Sequence, residues 1–171
     1  RYLDMTRDCL KNNDGFIIAL TKRDSDYISS VYDYASYVEI VDWSQLDGGL
    51  LGITVEGKQI VKLSNCNLDE CNLLKGDAES VEHGIDYLVP QKYQILSKFY
   101  KKIYPEIKAY IFHIKPKYND ANWLGFRLIE CLPIELNDKA NLISMQEPLD
   151  RLERILHIVK TIYPDELNIL N

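Results

Sequence analysis

Apolar residues fall along this chain in two rhythms, one in each half. Tyr2, Met5 and Cys9, flanked by Leu3 and Leu10, recur at helical spacing, and Asn12-Asn13-Asp14-Gly15 supplies a stop. Phe16 to Leu20 is an unbroken apolar run, which predicts a strand buried on both faces. The polar stretch from Thr21 to Ser30 predicts a loop. Tyr37 to Trp43 is rich in β-branched and aromatic residues and predicts a second strand. Asp47-Gly48-Gly49 marks a turn, after which Leu51, Ile53 and Val55 alternate with Gly52, Thr54 and Glu56. Glu56-Gly57-Lys58 reads as a further turn into a strand that places Val61 and Leu63 on one face. Asn65 to Asn72 reads as a polar connection, and Leu73 to Val81 as a weaker strand.

The rhythm changes near His83-Gly84. Pro90 opens a helix carrying Tyr93, Leu96, Tyr100 and Ile103, and Pro105 is expected to stop it. Asp120 is placed to cap a helix with Leu124, Leu128, Cys131 and Leu132, ended by Pro133. Asn137 is expected to cap a short helix with Leu142 and Met145. Pro148 opens the last expected helix, with Leu149, Leu152, Leu156, Val159 and Ile162 on one stripe. Strands first and helices after define an α+β chain, with a β lobe over 1–84 and a helical lobe over 85–171. There is no internal repeat and no low-complexity segment.

Composition narrows the class. A chain of 171 residues buries roughly 70% of its unfolded surface, enough for one core or two small lobes without a disulfide or metal staple. With 26 acidic against 20 basic residues, the chain repels a phosphate backbone, so no nucleic-acid partner is expected. The longest apolar run, Phe16 to Leu20, is far too short to span a bilayer, so no membrane partner is expected either. Cys9, Cys66, Cys71 and Cys131 form no CxxC pair, which suits free thiols in a cytoplasmic protein. The chain starts at Arg1 rather than Met, so a processed or trimmed product is expected, with any targeting segment out of view.

Chemistry-bearing motifs are few. Gly52-Ile53-Thr54-Val55-Glu56-Gly57-Lys58-Gln59 matches seven of the eight places of a phosphate-binding loop. Gln59 lacks the hydroxyl that would hold Mg²⁺, and the β-branched residues around it predict strand where a helix N-terminus is needed. A hairpin turn is the better reading. Cys66, Cys71 and His83 lack the tight pair that structural zinc requires, so neither metal nor cofactor is expected. No local nucleophile signature is present, and Arg127 with Glu130 reads as an i,i+3 helix pair rather than an acid–base apparatus. The remaining feature is aromatic: 12 tyrosines and two tryptophans, which fill a small core and also suit peptide contact. Tyr37, Trp43 and Tyr118 are the candidate contact residues.

These segments together resemble a known family. Arg1 to Leu10 followed by Gly15-Phe16-Ile17-Ile18-Ala19-Leu20 looks like the early helix and strand of the Lon protease N-terminal (substrate-binding) domain. The series continues with Asp47-Gly48-Gly49 and Leu50 to Gly57, then Trp123-Leu124-Gly125-Phe126-Arg127-Leu128-Ile129-Glu130-Cys131-Leu132-Pro133-Ile134, and Pro148 to Leu156. The resemblance runs nearly end to end and is nearest to small stand-alone bacterial proteins made of that domain alone. Two departures stand out: Ala35-Ser36 replaces a common Gly-Thr pair, and Glu39 occupies a place where a basic residue is usual. The resemblance implies a PUA-like antiparallel pseudo-barrel followed by a helical bundle, with the family's opening strand upstream of Arg1. It also implies a non-catalytic module that binds unfolded or extended polypeptide segments, with a protease or chaperone as a further partner. The ATPase and Ser–Lys protease parts of Lon lie in other domains. A different class of function, small-molecule binding in a cleft between barrel and helices, is the alternative.

Overall fold

The structure, a computed structural model, describes residues 1–22, 30–81, 87–107 and 115–170. It divides into two compact units, Arg1–Glu82 and His83–Asn171. The first opens with helix α1 (Tyr2–Asn12), which ends where Asn13 adopts a left-handed conformation at φ 53° and Asp14 N–H donates to Cys9 O at 3.0 Å. Strands β1 (Phe16–Ile18), β2 (Tyr34–Gln45), β3 (Leu51–Leu68) and β4 (Leu74–Ser80) then form one antiparallel sheet in the order β1-β2-β3-β4. Among the described residues the sheet is open, with β1 and β4 at its edges. The antiparallel sheet followed by helices agrees with the expected α+β class.

Strand β3 departs from expectation. Glu56-Gly57-Lys58 is not a turn, because the chain runs on as one strand of 18 residues. The ladder keeps Tyr37 opposite Gln59 and Val38 opposite Gly57, so Lys58 is absorbed as a bulge. A second bulge takes up Val41, between the pairs Ile40–Val55 and Asp42–Thr54. The supposed polar connection from Asn65 is also mostly strand: β3 continues to Leu68 through a further irregularity, with Asn65 at φ 53°. The turn proper is Asp69 to Leu73, where Asp69 Oδ1 accepts from the N–H groups of Cys71 at 2.9 Å and Leu73 at 2.8 Å. Thr21 bridges to Val31; the rest of the expected loop, 23–29, lies outside the described residues, as does His83.

The second unit holds the larger core. Its helices are α2 (Gln94–Ile107), α3 (Ala121–Cys131), α4 (Leu136–Ser144), α5 (Pro148–Ile162) and α6 (Pro164–Leu170), with a one-turn 3-10 helix at Gln91–Tyr93 before α2. Leu96, Tyr100, Leu124, Leu128, Leu152, Ile155 and Val159 are sealed from solvent in one cluster. Asp120 caps α3 as its position suggests, accepting from Trp123 N–H at 2.9 Å. Three boundaries differ. Helix α2 runs past Pro105 to Ile107; the proline removes one N–H donor from the last turn without ending the helix. Asn137 lies inside α4, which starts one residue earlier behind Glu135. Helix α5 is not the last, because the chain breaks at Tyr163 and Pro164 opens α6.

Candidate functional site

Strand pairing decides what the β unit exposes. Strand β1 covers only Ser36 to Val38 of β2, and β4 pairs with β3 only from Val61 onward. The ladder from Ile40–Val55 to Gln45–Leu51 therefore has no further strand on either side among the described residues. It forms a two-stranded arm about 17 Å long. At its tip Leu46 N–H donates to Leu50 O at 2.7 Å, and Gly48 and Gly49 take φ of 78° and 79°, which lets the chain reverse within Leu46 to Leu50.

The arm is two-faced. Leu51, Ile53 and Val55 share one side of β3; Trp43 stands opposite Ile53, and Ile40 opposite Val55. Asp42 and Ser44 fall on the other face, opposite Thr54 and Gly52. A sheet face with this apolar pattern would ordinarily be packed. Here Trp43 is 62% exposed; at the tip Leu50 is 66% exposed and Leu46, which lies over Gly52 on the other face, 52%. At the base, Lys58 Nζ reaches Glu39 Oε2 at 3.3 Å and Glu56 Oε2 at 2.5 Å, which holds the lysine above its ordinary pKa, Glu56 contributing most. This is where the phosphate-loop pattern ends up: in the middle of a strand, with its lysine already held by two carboxylates.

The other aromatic candidates are placed differently. Tyr37 is half-buried in β2; its hydroxyl accepts from Gly15 N–H and donates to Asp14 Oδ1, both at 3.0 Å, and ties the end of α1 to the sheet. That bond to Asp14 is the main reason its pKa is raised. Tyr118 belongs to the helical unit, where it packs against Tyr100, Tyr104 and Trp123 with ring centroids 6.1–6.2 Å apart. Lys101 lies over its face at 5.0 Å, and one side of the ring borders a shallow groove with Tyr87, Leu88 and Lys117. Trp43 thus stands on open surface, while Tyr37 is spent on local structure and Tyr118 divides between packing and surface. Sequence reasoning missed Leu46 and Leu50, whose exposure depends on which strands lie alongside.

The titratable groups near one another act as structure. Arg127 Nη2 meets Glu130 Oε1 at 2.5 Å across one turn of α3, the helix pair their spacing suggested. Burial pushes the Glu130 carboxyl up, and Arg127 and Lys139 pull it back. Among the described residues no group of three or more His, Cys, Asp or Glu side chains is arranged to hold a metal ion. No described helix is long and apolar enough to cross a membrane.

With the arm and core in view, comparison with known proteins is direct. A family model described as the ATP-dependent protease La (LON) substrate-binding domain matches residues 1–161. The chain belongs to this family. The solved structure of a Lon N-terminal domain protein from Xanthomonas campestris is similar at a TM-score of 0.76 and 22% identity, covering 92% of this chain and 83% of that one. The N-terminal domain of Mycobacterium avium complex Lon protease is similar at 0.53 and 13% identity, covering 87% of this chain and 92% of that one. At such identities the likeness is one of fold. No curated protein sequence matches. The Lon substrate-binding family is the part of the enzyme named for its substrates, and no catalytic domain is evident within these 171 residues.

Proposed function

We propose that this Lon-family domain is a polypeptide-binding module that holds unfolded or extended segments and presents them to a protease or chaperone in the cytoplasm. The observation that supports this most directly is the exposed apolar surface of the β2–β3 arm, with Trp43 on its apolar face and Leu46 and Leu50 at its tip, all three standing in solvent. Apolar patches rimmed by polar residues mark interaction surfaces, and a tryptophan is a frequent anchor in them. The aromatic side chain supplies contact area, while the unpaired backbone groups along the arm suit an extended ligand.

The test is binding of a permanently unfolded protein, reduced and carboxymethylated α-lactalbumin, to the purified chain by fluorescence anisotropy. Trp43→Ser is expected to weaken binding about tenfold, in line with loss of an aromatic anchor. Mg-ATP should produce no thermal shift, and the chain alone should cleave no peptide. Absence of binding, or equal binding by Trp43→Ser, would remove the arm from this reading.

A further inference from the structure

Charge on the arm gives the polypeptide a chemical class. Between Tyr34 and Gly57 the chain carries Glu39, Asp42, Asp47 and Glu56 and not one Lys, Arg or His. Lys58 bridges Glu39 and Glu56 at the base and offsets one of their two charges. No such cation serves the outer part: among the described residues neither Asp42 nor Asp47 has an ion-pair partner, and Asp42 Oδ1 merely accepts from Trp43 N–H at 2.8 Å. The imbalance extends to the whole unit. Arg1–Glu82 contains 15 acidic and 8 basic residues, whereas His83–Asn171 contains 11 and 12. The acidic excess of the chain therefore resides in the unit that bears the arm.

We propose that the outer edge of β2 in the arm selects extended polypeptide segments in which apolar side chains alternate with lysine or arginine. This rests on the polypeptide-binding reading above and adds the character of the ligand. Beyond Val38, the edge of β2 opposite β3 pairs with no strand among the described residues, so apart from the Trp43 N–H, which an added strand would have to take from Asp42 Oδ1, its backbone groups are available to such a strand. A strand laid there sends successive side chains to opposite faces, each about 5 Å from its neighbour on β2. Apolar side chains would then sit beside Trp43 on the face shared with Ile53, while the intervening ones lie beside Asp42 and Ser44. A cation at those places meets Asp42, with Asp47 at the tip, and the negative unit behind draws it in.

The same charges disfavour a second copy of this chain as the occupant. Pairing two arms edge to edge would bring both sets of Asp42 and Asp47 together, and like charges directly opposite are destabilising. Apolarity alone would leave that choice open; the carboxylates decide it.

Three fluorescein-labelled 12-residue peptides of identical leucine and phenylalanine content, alternating with Lys, Ser or Glu, would be titrated against the full chain at 50 and 300 mM NaCl. The Lys peptide is expected to bind about tenfold more tightly than the Glu peptide at low salt, with Ser between them, and the spread should shrink at high salt. Asp42→Asn with Asp47→Asn should remove the Lys preference and leave Ser-peptide affinity unchanged. Trp43→Ser should weaken all three. Equal binding of the three peptides would overturn this inference and leave polypeptide binding intact; no binding by any would overturn both. Two further results would overturn it by naming another occupant. One is a dimer in sedimentation velocity that Trp43→Ser dissociates and the Lys peptide does not. The other is a chain extended upstream of Arg1 in which Trp43 is shielded from acrylamide and the Lys peptide no longer binds.

Discussion

Arg151 is a residue whose role no pattern in the sequence announces. It lies on the buried stripe of α5, fully sealed from solvent, and no carboxylate faces it among the described residues. Its guanidinium donates instead to the carbonyls of Leu142, at 3.2 Å, and Met145, and to Asn122 Oδ1 at 3.1 Å, while its plane covers the ring of Phe126 at 4.1 Å. The side chain thus serves the carbonyls at the end of α4, adding to the long 3.3 Å bond that Leu142 O accepts from Met145 N–H and reaching Met145 O just beyond the helix. Burial lowers its pKa to about 10, so it stays charged throughout the neutral range. Arg151→Met should cost about 2–4 kcal/mol, since stranded buried acceptors cost about 1–3 kcal/mol each, and Arg151→Lys should rescue little because an ammonium lacks the planar fork. Gly125 makes room for it: a methyl group there would meet Arg151 Cδ at 3.1 Å. Glycine-to-alanine changes inside helices ordinarily stabilise by about 1 kcal/mol; Gly125→Ala should destabilise instead, read as a fall in the urea midpoint. The cysteines give a second residue-scale expectation. All four are unpaired, with Cys71 exposed and Cys9 and Cys131 half-buried. Burial pushes the Cys9 and Cys131 thiols up, with nearby carboxylates adding to it. At pH 8 a thiol reagent should therefore modify Cys71 fast and Cys9 and Cys131 slowly, and four thiols should titrate once the protein is denatured.

Elements with a chemical stop at each end were legible in the sequence; those whose ends depend on a neighbour were not. Asn13, Asp120 and Pro148 act through their own backbone or side chain, and each sits where its chemistry predicts. Glu56-Gly57-Lys58 has the composition of a turn, but pairing to β2 overrides it, and a bulge accepts the extra residue without reversing the chain. Helix α6 was hidden because Tyr163-Pro164 reads as an ending, although a proline also begins helices well. Residue type alone marks Trp43 as a contact candidate, whereas its companions on the arm become visible only from the strand pairing. The Asp69 turn makes a prediction at this scale. Its carboxylate is held below the ordinary range, first by Leu73 N–H and then by Lys75, which approaches Oδ2 at 3.0 Å. A carboxyl whose folded pKa lies below its unfolded value stabilises above that unfolded value, about pH 4, and loses the contribution as pH falls through the folded one. The melting temperatures of wild type and Asp69→Ala should therefore differ at pH 7 and converge toward pH 2.

At the scale of the molecule, the two units are unequal. Of the fully buried apolar residues, Ala35, Val38 and Val61 belong to Arg1–Glu82, while the large sealed cluster from Val89 to Leu167 belongs to His83–Asn171. Burial is the dominant stabilising term, so the helical unit should open at higher free energy than the sheet. Amide hydrogen exchange should show α2, α3 and α5 far better protected than β2 and β3. Urea unfolding followed at Trp123, inside the helical unit, should lag the loss of strand signal in the amide region. Coincident transitions would show instead that the units unfold as one.

The two bulges of the arm have a consequence when taken together. They lie on opposite strands, Lys58 on β3 and Val41 on β2, so the offset that one introduces the other removes. Tyr37 opposite Gln59 and Asp42 opposite Thr54 obey the same register; only Val38, Glu39 and Ile40 are paired one step out of phase. In the language of crystals this is a dislocation pair, able to annihilate with no displacement of the lattice on either side. Annihilation would seat Val41 opposite Val55 and Glu39 opposite Gly57, leaving tip and base where they are. The present arrangement sets Glu39 directly against Glu56, a repulsive pair that Lys58 bridges. Lys58→Ala should release the slip, and a new nuclear Overhauser contact between Val41 and Val55 would record it, with the contacts of Trp43 to Ile53 unchanged.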